Sequence, residues 1–135
     1  MKPWRMSLAS ALLITTSVAP ASLGAAGSYD GSRPFLCAVD VIVECDSSGR
    51  CERHLPDASA PRFIRVDVAG KTITSEANRR SPLVNTMRVD GELILQGGEN
   101  GRSWSATINE DSGRMAAALI DDDYTFSLFG VCTLP

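Results

Sequence analysis

The stretch Phe35-Leu36-Cys37-Ala38-Val39-Asp40-Val41-Ile42-Val43-Glu44-Cys45 decides the fold class. Cys37, Val39, Val41, Val43 and Cys45 alternate with Ala38, Asp40, Ile42 and Glu44. Successive side chains of a strand point to opposite faces, so this pattern predicts a strand with the valines and cysteines on one side. Ser47-Ser48-Gly49 then predicts a turn that brings Cys51 back opposite Cys45.

Working outward, the same period recurs to the end of the chain. Ile64, Val66 and Val68 alternate with Phe63, Arg65 and Asp67 in a strand over Arg62–Val68, and Lys71–Ser75 returns after Ala69-Gly70. Between these parts, Pro56 and Pro61 bracket Asp57-Ala58-Ser59-Ala60 as a connection, with room for a helical turn. Glu76–Pro82 is polar and reads as an exposed loop that includes Ser81-Pro82. Leu83–Val89 and Glu92–Gln96 flank Asp90-Gly91, a strong short hairpin signal. Gly97-Gly98-Glu99-Asn100-Gly101 reads as the next turn, where Asn and Gly tolerate positive φ. Trp104, Ala106 and Ile108 share a face, and Tyr124, Phe126, Leu128, Gly130 and Cys132 share another. Met115–Ile120 is too short for a typical helix and sits between turns, so strand is favoured. The expected fold is all-β, a small antiparallel meander barrel or strongly curled sheet, ahead of a two-sheet sandwich. Closing such a meander protects its edges.

Four cysteines, spaced by 8, 6 and 81 residues, predict two disulfides rather than paired metal knuckles. Along one extended strand Cys37 and Cys45 lie about 26 Å apart and cannot pair without a fold-back. The preferred pairing is Cys45–Cys51 with Cys37–Cys132, which staples the first strand to the last. Cys37–Cys51 with Cys45–Cys132 is the alternative.

Residues 1–26 have the layout of a secretory signal peptide. Lys2 and Arg5 precede an apolar stretch from Met6 to Val18, followed by small residues at Ala19-Pro20-Ala21 and Gly24-Ala25-Ala26. Cleavage after Ala26 is favoured over cleavage after Ala21, which leaves residues 27–135 as a single antiparallel β domain. That part carries 11 Lys and Arg against 16 Asp and Glu, a net charge of −5. Such a balance argues against non-specific nucleic-acid binding. The expected location is the periplasm or outside the cell, without a stable membrane span once the leader is removed.

No catalytic residue, metal site or cofactor is predicted. His54 is the single histidine, and no activated nucleophile stands near it in sequence. Asp121-Asp122-Asp123 lacks the spaced ligands of a calcium loop and reads as a solvated turn. Gly97–Arg102 lacks the lysine of a phosphate loop, although its amides with Arg102 offer an anion cradle. The candidate contact residues are Arg79 and Arg80 on the polar loop, Glu99, Asn100 and Arg102 at the glycine-rich turn, and Trp104 in the barrel wall or near its mouth.

Several blocks, Phe35-Leu36-Cys37-Ala38, Glu44-Cys45, Pro61–Asp67, Gln96–Ser105 and the ending Phe129–Thr133, together resemble a group of small exported proteobacterial proteins of unknown function. The resemblance implies export and an envelope setting, and carries no catalytic residues. A looser architectural similarity is to the periplasmic C-type lysozyme inhibitors, which are small disulfide-bearing β-barrels. Their inhibitory loop has no counterpart here beyond a faint echo in Asp46-Ser47-Ser48-Gly49-Arg50.

The leading functional expectation is a non-enzymatic module that binds or inhibits an envelope or extracellular protein. A barrel holding a small apolar ligand or lipid is the alternative. It requires an open interior lined by residues such as Val41, Trp104, Phe126 and Leu128, and a filled interior would remove it. An envelope enzyme is the third reading and requires a cleft of converging polar groups.

Overall fold

A computed structural model describes residues 28–56 and 61–135. The expected leader over residues 1–26 and the connection Asp57–Ala60 lie outside the described residues. Among the described residues nine strands form in chain order: β1 (Phe35–Asp46), β2 (Cys51–His54), β3 (Phe63–Asp67), β4 (Thr72–Ser75), β5 (Arg80–Val89), β6 (Glu92–Glu99), β7 (Arg102–Asn109), β8 (Arg114–Ile120) and β9 (Tyr124–Thr133). From β3 to β9 each strand pairs antiparallel with the next, and β1 pairs with both β3 and β9. The result is a closed eight-strand barrel. Strand β2 is an extra ribbon on the far half of β1, on the edge whose first half carries β3. Both disulfides follow the preferred pairing, Cys37–Cys132 across β1 and β9 and Cys45–Cys51 across β1 and β2. Thiols stay reduced in the cytosol, so two such bonds mark an oxidising, non-cytoplasmic compartment. Among the described residues no helix is long and apolar enough to cross a membrane.

The strongest strand departs from simple alternation. Its register with β9 passes from Val39↔Gly130 to Val41↔Phe129, so Asp40 is an extra residue in a β-bulge. A bulge inverts the face of everything after it. Phe35, Cys37 and Val39 are buried, as expected, but Ile42 and Glu44 then line the interior in place of Val41, Val43 and Cys45. Gly130 makes the bend possible. A Cβ there would run into the carbonyl oxygen of Ala38.

Two other expectations are corrected. Ser81 and Pro82 belong to β5 rather than to an exposed loop, and Ser81 is only 4% exposed. Pro82 is tolerated because β4 pairs with β5 over three residues only, near the strand start. Gly97 and Gly98 likewise sit inside β6, and the turn is Asn100-Gly101 alone. That pair (φ 51° and 78°) and Asp90-Gly91 (φ 50° and 81°) both adopt positive φ, the two-residue geometry whose twist matches a hairpin.

One end of the barrel is filled. Phe35, Cys37, Leu93, Ile108 and Cys132 are buried there and belong to one hydrophobic cluster. Tyr29 closes that end, its ring edge-on to Phe35 at 5.8 Å and its amide donating to the Glu110 carbonyl at 3.0 Å. Beneath it Arg88 forks onto the buried Glu110 carboxylate, with Nη2 donating to Oε2 at 2.7 Å.

Candidate functional site

The other end is hollow, and the sequence of the inward rows explains why. Across β6, β7, β8 and β9 the lower row is Leu93, Ile108, Met115 and Gly130, of which the first three are large and buried. The middle row is Leu95, Ala106, Ala117 and Leu128, so two alanines stand side by side halfway up the wall. The upper row is Gly97, Trp104, Leu119 and Phe126. An eight-strand barrel has room for its own side chains or for one small ligand. Two adjacent methyl groups are too little to reach the middle. A cavity of about 470 Å³ remains, within the range of small-molecule sites.

Its walls are apolar: Ile73, Leu95, Ala106, Ala117, Phe126 and Leu128 all contribute. Its polar groups gather at the rim, where the β4–β5 loop, the β6–β7 turn and the β8–β9 turn meet. Trp104 lines the cavity and spends its indole N–H on the buried Ser81 Oγ at 2.8 Å, so only carbon faces are left for the interior. Trp104, Phe126 and Leu128 line the interior as the ligand-barrel reading required. Val41 does not, because the bulge replaces it with Ile42.

The six candidate contact residues separate. Arg79, Glu99, Arg102 and Trp104 line the cavity or its rim. Arg80 is the exposed first residue of β5, opposite Thr74, outside the lining. Asn100 supplies the turn's positive φ and also lies outside the lining. In the glycine-rich segment Gly97–Arg102, offered as an anion cradle, Gly97, Gly98 and Glu99 sit in the ladder with Trp104, Ser103 and Arg102. Arg102 instead places Nε 3.3 Å from Asp121 Oδ2. Asp121 also accepts from the amides of Tyr124 (2.8 Å) and Asp123 (3.1 Å). The Tyr124 amide foremost, then the Asp123 amide and the Arg102 charge, hold its carboxyl below the usual aspartate range. The acidic triplet is thus a capped turn. His54, on exposed β2, lies 3.6 Å from Glu44 Oε2.

Reading the sequence missed Ser75, Ser81, Ala106 and Ala117 as site residues. Inward parity already signalled the alanines; the serines needed the barrel to bring β4 and β5 beside Trp104. No family model matches the chain, and no curated protein is significantly similar to it.

Proposed function

We propose that this protein is a non-enzymatic carrier or sensor that binds a small amphipathic molecule inside the barrel. One observation carries the reading: a cavity of about 470 Å³ with apolar walls and a polar rim, above a sealed floor. Water held against such walls is released when an apolar ligand enters, and that release is the driving force. The exported setting completes the proposal, with cleavage after Ala26 and residence in the periplasm or outside the cell. N-terminal sequencing of chain secreted by a bacterial host is expected to begin at Gly27.

Of the two tryptophans, Trp4 leaves with the leader on cleavage after Ala26, and Trp4→Phe removes its indole from any chain that keeps the leader, so Trp104 is the sole indole in either form. Titration of this full-length variant with decanol is expected to give a saturable change in Trp104 emission. Ala117→Phe, which fills the hollow, is expected to abolish the change while leaving the β-type circular dichroism intact. A flat titration with the unfilled cavity overturns the reading.

Recognition of another protein is a second reading, favoured by the outer wall. Phe63, Ala38 and Val131 stand in one row across β3, β1 and β9, and Phe63 and Val131 are 45% and 46% exposed. Apolar rows of this kind suit a protein contact. Envelope-protein capture that is lost on Phe63→Asp and Val131→Asp, and kept in Ala117→Phe, would move the function from the cavity to this wall.

A further inference from the structure

Resting on the cavity reading, we infer that the ligand is an amphipathic anion, a carboxylate or similar monoanionic head on an apolar chain, gripped by Arg79. Three observations converge. Arg79 lines the rim, and among the described residues no hydrogen bond or ion pair engages its side chain. Ser75, on the neighbouring end of β4, also lines the cavity, and its buried Oγ has no hydrogen-bond partner among the described residues. The Ser75 amide donates to the Arg79 carbonyl at 3.0 Å, so one closed loop presents both groups. A buried hydroxyl without a partner is disfavoured, and rotation of the Ser75 side chain toward the cavity would bring it to an oxygen of an incoming head group.

The remaining rim charges are arranged differently. Asp121 is already held by Arg102, and Glu44 has His54 beside it. Glu99 lies beyond β5, at the outer end of β6, and is exposed. The sector from Ile64 through Ile73 and Ser75 to Arg79 and Ser81 has a guanidinium and two hydroxyls but no lining carboxylate. Guanidinium groups pair with carboxylates through two parallel N–H donors, which fixes head-group orientation as well as charge. Below that sector the apolar tail meets Leu95, the two alanines and Leu128.

The test uses the full chain in the Trp4→Phe background with three probes of equal chain length: decanoate, decanol and decyltrimethylammonium, each below its aggregation concentration. Decanoate is expected to bind more tightly than decanol, and the ammonium probe most weakly. Arg79→Gln is expected to weaken decanoate by about tenfold and leave decanol within about twofold. Arg79→Lys should recover part of the loss. If decanol binds as tightly as decanoate, or if Arg79→Gln weakens both equally, the anion inference fails while the cavity reading stands. If the ammonium probe binds best, the grip belongs to the rim carboxylates and the inference is overturned. If none binds, both readings fall together.

Discussion

Gly97 leaves the space that the indole of Trp104 occupies. The two residues face each other across β6 and β7, and a Cβ at position 97 would lie 2.6 Å from Trp104 Cε2 and would also press on the Pro82 carbonyl. Both obstacles are fixed, one by backbone and one by the Trp104–Ser81 hydrogen bond. Gly97→Ala is expected to cost about 1–3 kcal/mol, the range for overpacking. Urea unfolding followed by Trp104 emission measures it, and an unchanged midpoint would show that the ring relocates freely.

The closed end depends on a charge pair of unequal burial. The Glu110 side chain is 7% exposed, whereas that of Arg88 is 48% exposed. Arg88→Met takes the guanidinium from a buried carboxylate, and the urea midpoint is expected to fall. In Arg88→Met with Glu110→Met no buried charge remains, so the double variant is expected to be more stable than the single one. A double variant that loses the full sum of both single effects would contradict this.

The two disulfides differ in how much of the unfolded chain they restrain. Cys37–Cys132 spans a separation of 95 residues and Cys45–Cys51 one of 6. Loop-closure entropy assigns about 4.7 and about 2.3 kcal/mol to them respectively. Replacing the first pair by alanines is expected to lower the unfolding free energy about twice as much as replacing the second. Cys51 is exposed while Cys37 and Cys132 are buried, so mild reductant followed by alkylation should label the 45/51 pair first.

Glu76 ties the β4–β5 loop to the start of β3. Its carboxylate accepts from the amides of Arg62 and Phe63, each at 3.0 Å, and these bonds, the Arg62 amide foremost, lower its pKa from the ordinary glutamate range. A pKa lower in the folded than in the unfolded chain means that this stabilisation is complete above about pH 4.3 and disappears as pH falls through the lower folded value. Urea midpoints across about pH 3 to 6 are therefore expected to fall less steeply in Glu76→Gln than in the parent. Equal slopes would assign the acid sensitivity to other carboxylates, Asp46 and Asp121 among them, whose pKa values are also lowered.

Local signals carried much of the architecture. Alternation located β1, β3, β7 and β9, and Asp90-Gly91 and Asn100-Gly101 located two hairpins, because both depend on near neighbours in the chain. The single extra residue at Asp40 was not legible in that way. A bulge forms only because β9 offers Gly130 opposite it, and no pattern within β1 itself states that. The same holds for Ser81, which reads in sequence as an ordinary loop serine and is revealed as a site residue only by the hydrogen bond it accepts from Trp104 on β7.

By itself, the sequence determined an all-β chain, the short hairpin turns and the preference for a Cys37–Cys132 staple, since each follows from periodicity, residue chemistry or loop length. The tertiary structure alone decided that the barrel has a floor and a hollow, and which side chains face it. Strand closure is the reason. It sets Ala106 beside Ala117, turns Ile42 inward in place of Val41, and brings Arg79 and Ser75 to the same rim as Trp104. Those residues lie on separate strands, and whether space remains between them depends on the sum of their volumes around a closed ring.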